Sequence, residues 1–210
     1  MNIHSSFDHF LKLIIVGDSG VEKSNFLLRF TENKFSQIYQ ITLGLDSKNK
    51  IITLPKSKKK VKIQIWDTAG QERYMSINKL FLQRVQGIVL MYDITRRESY
   101  LNLQSWVKLI NDITFNIPVV LVGNKLDDEN ENRIVRKEEG KAFAKDNGYL
   151  FYEASALSGK NVNNAICDLS EIIISTLEFN VTMNISKSTM DFLEIKDKKK
   201  NHKFRQEICC

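Results

Sequence analysis

The sequence predicts an α/β domain, a mostly parallel six-stranded sheet with helices on both faces. Three observations carry the prediction. Short apolar runs of strand length alternate with segments whose apolar residues recur at helical spacing. Polar, glycine-bearing segments stand directly after several of these runs, at the strand ends where open α/β sheets place ligands. A chain of 210 residues is long enough for one well-filled core and short for two.

Phe10 to Val16 is nearly all apolar and stops at Gly17, which makes it a buried strand feeding a turn. A helix follows from Ser24, with Phe26, Leu27 and Phe30 on one side. Asp46 to Leu54 and Val61 to Trp66 read as strands joined by a basic loop around Lys58. In the second of them Val61, Ile63 and Ile65 alternate with Lys62 and Gln64. The loop from Leu54 to Val61 is expected to be a solvated surface turn. Gly87 to Tyr92 and Pro118 to Gly123 are short buried strands, separated by a helix with apolar positions Leu103, Trp106, Leu109, Ile110 and Ile113. Arg136 to Asn147 reads as a helix and Tyr149 to Glu153 as a last short strand. Val162, Ala165, Ile166, Leu169, Ile172, Ile173 and Leu177 set the period of a final helix. Beyond about Asn180 the pattern fails, and the lysine-rich end has too little apolar content to fold by itself. The expected organisation is a flexible terminus at 1–9, one folded domain at 10–180 and a flexible tail at 181–210.

The net charge of +6 is concentrated in two runs, Lys56 to Lys60 and Lys196 to Arg205. Without zinc-finger spacing, a recognition helix or aromatic-basic interleaving, this balance does not point to nucleic acid, and an anionic membrane surface fits it better. Three cysteines, Cys167 and the final pair Cys209-Cys210, make no disulfide framework, and no secretory apolar run opens the chain, so a reducing compartment is expected. No stretch is long and apolar enough for an ordinary membrane span.

Gly17-Asp18-Ser19-Gly20-Val21-Glu22-Lys23-Ser24 follows a strand and precedes a helix, with Gly17, Gly20, Lys23 and Ser24 at phosphate-loop offsets. Such a loop turns backbone amides inward around phosphates, uses the lysine as a point charge and the hydroxyl as a magnesium ligand. Glu22 stands where the pattern calls for glycine. Its side chain adds bulk where an amide should approach phosphate, and its carboxylate repels an anion. Turned outward that charge is screened; turned inward it costs binding energy. By itself the motif also fits an ordinary strand–turn–helix with a surface lysine.

Asp67 ends an apolar strand, and Gly70 follows at a spacing that lets a carboxylate help hold hydrated magnesium while a glycine amide meets a terminal phosphate. Gln71 is next, with an amide able to orient water. The plain alternatives are a helix cap for Asp67 and a surface side chain for Gln71. Asn124-Lys125-Leu126-Asp127 supplies a carboxylate able to accept from both nitrogen donors on the guanine edge, the alternative being an asparagine-led turn.

On these motifs the chain resembles a small GTPase of the Ras superfamily, most closely the Rab branch, over about Phe10 to Leu177 together with Cys209-Cys210. The resemblance implies the P-loop small GTPase fold, GTP or GDP as bound nucleotide and Mg2+ as cofactor. It implies that the segment Asp18, Ser19, Gly20, Val21, Glu22, Lys23, Ser24 and Asn25 binds the phosphates, and that Ser24, Thr42 and Asp67 ligate the metal. Thr42, in Tyr39 to Gly44, resembles the first switch, and Asp67 to Tyr74 the second, with Gln71, Lys23 and Thr42 as the catalytic group. Phe35 matches the aromatic beside the guanine ring, the alternative being a helix-end core contact. Asn124, Lys125 and Asp127 match the base motif, and Ser155, Ala156 and Leu157, in Glu153-Ala154-Ser155-Ala156-Leu157, the loop supporting the base carbonyl. Besides Glu22, the departures are Leu157 for a lysine, and Leu43 and Ser47 for Ile and Phe, which alter a surface that partners read.

The terminal Cys209 and Cys210 look like a double-prenylation signal, with unmodified thiols on a frayed tail as the alternative. Two lipid chains retain a soluble domain where one binds only marginally. The resemblance thus implies a membrane-attached switch on the cytoplasmic face of an intracellular membrane, with a cytosolic pool, acting in vesicle trafficking. Such a switch is expected to hydrolyse GTP slowly to GDP and phosphate. Expected partners are an exchange factor, a GTPase-activating protein, effectors, a prenylation escort protein and a GDP-dissociation inhibitor, with no nucleic acid and a monomeric domain. The competing reading is a Rab-like scaffold impaired in nucleotide binding, with Glu22 as the cause.

Overall fold

The computed structural model describes residues 7–38, 45–68, 85–114, 116–128 and 130–179. The chain divides into the units Met1–Ile173 and Ile174–Cys210, and the described residues of the second, 174–179, are helical. Strands β1 (His9–Gly17), β2 (Leu45–Thr53), β3 (Lys60–Thr68), β4 (Gly87–Asp93), β5 (Val119–Asn124) and β6 (Leu150–Glu153) form one six-stranded sheet in the order β2-β3-β1-β4-β5-β6. β2 runs antiparallel to β3, and every other neighbouring pair is parallel. Helices among the described residues of the first unit are α1 (Lys23–Glu32), α2 (Arg97–Leu101), α3 (Leu103–Ile113), α4 (Lys137–Asp146) and α5 at 162–173, with a 3-10 turn at Leu126–Asp128.

A parallel sheet must hide both faces, which is why β4 and β5 are buried along their whole length and apolar up to the polar residues Asp93 and Asn124 that end them. Alternation then sorts β1. Ile14 and Val16 join Trp106, Ile110 and Ala144 in a core under α3 and α4. Leu13 faces the other way, where a Cβ on the neighbouring Gly87 would meet Leu13, Leu169 and Ile173, so α5 closes down on that face through a missing side chain. α1 covers the same face beside β2, with the Lys50 ammonium 4.7 Å from the Phe30 ring centroid. The predicted fold class and strand sequence are those found.

Two local features differ from expectation. The turn of helix at Arg97–Leu101 was not predicted, because so few residues display no period. The β2–β3 loop is more than a solvated turn. Leu54 is fully buried, the Lys58 amide donates to the Leu54 carbonyl at 3.1 Å, and Lys58 takes φ 59°. The amides of Lys56 and Ser57 donate to Glu171 Oε1 at 2.7 and 3.1 Å, and Lys56 Nζ meets Asp168 Oδ1 at 2.8 Å. The loop is therefore pinned to α5.

Candidate functional site

β1 delivers the chain into the phosphate loop at Gly17, where φ is 142° and a Cβ would lie 2.3 Å from the Met91 carbonyl oxygen; only glycine passes. The loop folds back over Lys23, whose ammonium donates to the carbonyls of Gly17 at 2.8 Å and Asp18 at 2.7 Å. Burial pulls its pKa down to about 8, with Asp67 and Asp18 acting against the shift and Arg96 adding to it. A buried, incompletely neutralised ammonium at a helix N-terminus is poised to receive an anion.

Ser24, exposed at the first turn of α1, donates through Oγ to Asp67 Oδ2 at the end of β3. Two hard oxygen donors thus converge beside Lys23, a donor set that suits Mg2+. Among the described residues no group of three His, Cys, Asp or Glu side chains gathers as a metal cluster. The residue after Ser24, Asn25, steadies the far end of α1. Its side chain clamps Ser36 in both directions, Nδ2 to the carbonyl at 3.0 Å and Oδ1 from the amide at 2.9 Å, which holds half-buried Phe35 near the end of α1.

β5 ends at Asn124, which is fully buried and ties three segments together. Its Nδ2 donates to the Val21 carbonyl at 3.0 Å and to Glu22 Oε2 at 3.1 Å, while Oδ1 accepts from the Ala156 amide at 3.0 Å. Lys125 takes φ 70° and pairs with buried Asp93 Oδ2 at 2.8 Å. Asp127 is exposed at the loop surface and accepts from Ser155 Oγ. Ser155 and Ala156 are buried, and Leu157 is exposed.

A family model described as the Ras family matches residues 12–175. The chain belongs to the Ras family. It is 37% identical to Ras-related protein Rab-13 of Rattus norvegicus over 94% of this chain and 97% of the relative. It is 38% identical to Ras-related protein SEC4 of Saccharomyces cerevisiae over 86% and 82%, and 41% identical to Ras-related protein Rab-15 of Homo sapiens over 80% and 78%. Within the Ras superfamily it is a Rab-family small GTPase.

Glu22 occupies the N-cap of α1 of this Rab-family chain with φ 68° and ψ 38°, in the left-handed region that glycine enters freely and a residue with a Cβ enters at a cost. Its carboxylate turns toward the base motif. Burial pushes its pKa above the ordinary carboxylate range, Lys125 and the Asn124 hydrogen bond oppose that shift, and Asp127 and Asp93 add to it.

Residues on which the site depends also escaped the sequence reading. Arg96 Nη2 donates to the Ser19 carbonyl at 2.7 Å and lies beside Gly20, so a guanidinium braces the phosphate loop. Trp106 Nε1 and Asn102 Nδ2 hold the Asp18 carboxylate at 2.9 and 2.7 Å. Arg29 reaches from α1 to the carbonyls of Ala156 at 2.9 Å and Leu157 at 2.5 Å. None sits at a motif offset; only Arg96, in the short Ile94 to Arg96 connection after β4 at the ligand end of the sheet, offered a clue. Thr42, Gly70 and Gln71 lie outside the described residues, as do Leu43, Cys209 and Cys210. No helix among the described residues is long and apolar enough to cross a membrane.

Proposed function

We propose that the chain is a membrane-attached guanine-nucleotide switch that binds GTP and GDP, hydrolyses GTP slowly and recruits effectors in intracellular vesicle trafficking. The observation that carries this reading is the junction at Asn124, whose one side chain bonds the phosphate loop at Val21 and the Ser155-Ala156 loop while Asp127 stands three residues on. An anion site and a purine-edge acceptor thereby share one rigid support.

In this mechanism the domain at 10–180 is the GTP-binding unit, and Asp18, Ser19, Gly20, Val21, Glu22, Lys23, Ser24 and Asn25 form the phosphate side. Lys23 holds the phosphates and offsets charge that develops on them. Ser24, Thr42 and Asp67 would hold the magnesium ion, which when bound would supply positive charge against the phosphate oxygens. Gln71 orients the attacking water, and the backbones at Thr42 and Gly70 sense the terminal phosphate, ordering both switches until hydrolysis releases them. Phe35 flanks the base, Asn124, Lys125 and Asp127 read its edge, and Ser155, Ala156 and Leu157 support its carbonyl. An activating protein that adds an arginine would raise turnover by about 10³–10⁵-fold. Exchange factor, effectors, prenylation escort protein and GDP-dissociation inhibitor complete the cycle between a cytosolic pool and the cytoplasmic face of a membrane, held there by lipidated Cys209 and Cys210.

The test exploits Asp127. Its carboxylate accepts from the guanine donors, whereas the amide of Asp127→Asn can donate to the extra carbonyl of xanthine. The expected result is a swap in competition strength, GDP weakening and XDP strengthening; unchanged ranking contradicts the base assignment. A second reading, a Rab-like scaffold that binds nucleotide weakly and does not hydrolyse it, rests on the left-handed Glu22. It predicts weak binding of both nucleotides by the unaltered chain.

A further inference from the structure

The basic run Lys56 to Lys60 has no task in the nucleotide site, and it forms the link between β2 and β3. Along β3 the residues alternate, with Val61, Ile63 and Ile65 buried on one face and Lys60, Lys62 and Gln64 on the other. Register carries that second face across three strands. Ile51 and Phe10 flank Lys62, and Asn49 and Lys12 flank Gln64. Phe10 is 39% and Ile51 44% exposed, large values for apolar side chains on a sheet.

The phenylalanines are dressed with ammonium groups. The rings of Phe7 and Phe10 lie 6.4 Å apart, Lys62 Nζ stands 5.8 and 5.6 Å from their centroids, and Lys12 Nζ stands 5.7 Å from that of Phe10. Exposed Lys58 and Lys60 continue the charge toward the hairpin tip. Lys56 is spoken for by Asp168 at 2.8 Å, and the Asp8 carboxylate accepts from the Lys60 amide at 2.7 Å.

We propose that this face of β2, β3 and β1 is a docking surface for anionic phospholipid membrane, made by the folded domain and separate from the lipidated tail. Its chemistry favours a bilayer over an acidic protein. All of its cations, Lys12, Lys58, Lys60 and Lys62, are lysines, which protein interfaces deplete in favour of arginine. Lysine stems lie along aromatic surface while their heads reach lipid phosphate, and aromatic rings settle at the headgroup level. The face is a pleated surface, and Phe10 stands about 23 Å along β1 from Gly17 at the nucleotide end. A domain resting here keeps that end away from the bilayer.

The test uses the full chain made without lipidation, mixed with vesicles of phosphatidylcholine alone or with three parts in ten phosphatidylserine. Phe10→Trp reports on the face itself, by difference from the parent chain. Its emission should shift to the blue on the anionic vesicles and be quenched by brominated acyl chains. Lys58→Glu/Lys60→Glu/Lys62→Glu should lower partitioning by about 10²-fold, roughly fivefold per lysine. Charge reversal at Lys198, Lys199 and Lys200 should lower it without abolishing the blue shift of the reporter. Sedimentation with vesicles while the reporter emission stays unchanged would overturn the proposal and leave the tail as sole contact. A shift produced by soluble polyglutamate but not by vesicles would overturn it in favour of an acidic protein partner. Should the triple variant fail to fold, the reporter chain with native lysines decides alone. The test requires neither nucleotide nor prenylation, so its outcome is independent of the switch reading.

Discussion

At the start of α1, Glu22 holds φ 68° and ψ 38°, a conformation that costs a residue with a Cβ roughly 1–2 kcal/mol and glycine almost nothing. Glu22→Ala keeps the Cβ and the strain. Glu22→Gly relieves it, less about 0.5–1 kcal/mol for the added freedom of glycine in the unfolded chain. Both lose the 3.1 Å hydrogen bond from Asn124, whose Nδ2 keeps the Val21 carbonyl at 3.0 Å, so that loss cancels between them. The glycine variant should therefore be the more stable by about 0.5–1 kcal/mol, or about 1–4 °C in Tm for a chain of this size. Thermal unfolding followed by circular dichroism, with nucleotide content matched, reads the difference. In the same samples a fluorescent GDP analogue should dissociate more slowly from Glu22→Gly than from Glu22→Gln, which removes the charge but leaves the bulk. An alanine variant that melts at or above the glycine variant would refute the claim that backbone conformation is the cost at this position.

Asn124→Ala removes a fully buried side chain and leaves the Ala156 amide and Val21 carbonyl without their partner, which should destabilise the domain by about 2–4 kcal/mol in urea melts. Arg96→Ala should speed nucleotide release by about 3–10-fold through loss of the Ser19 bond, with Arg96→Lys in between. Equal rates for all three would make Arg96 a bystander. Asp168 has its pKa lowered by the hydrogen bond from Lys56 first and from Tyr152 second. Its folded value lies below the unfolded one, so the stability it adds is complete above the ordinary carboxylate pKa and is lost as pH falls through the folded value. Asp168→Asn should accordingly cost about 0.5–1 kcal/mol at neutral pH and progressively less as pH falls below the ordinary carboxylate value, as read by chemical denaturation across that range.

Strands β4 and β5 were legible because burial on both faces demands an unbroken apolar run, and Gly17 because a turn must follow. Lys23, Ser24 and Asp67 were legible as residue types at fixed offsets, and the structure brings these three to one place. What remained hidden depends on partners far apart in the chain. The direction of Glu22 is set by Asn124 across 102 positions, and the brace on the phosphate loop by Arg96 across 77. Arg29 clamps the 156–157 backbone, which has no side-chain signature at all. The β2–β3 loop looked solvated because its lysines are polar, while the contacts that pin it are amides reaching an acid on α5.

The proposed switch requires that the Gly17 to Ser24 loop, Glu22 included, hold guanine nucleotide. Full-length protein purified in magnesium without added nucleotide, then denatured and its released nucleotides separated by ion exchange, tests it most directly. The switch reading predicts stoichiometric GDP or GTP and tight rebinding after removal. A folded protein that releases none and rebinds only at high micromolar concentration would contradict it, and would leave the scaffold as the function of this chain.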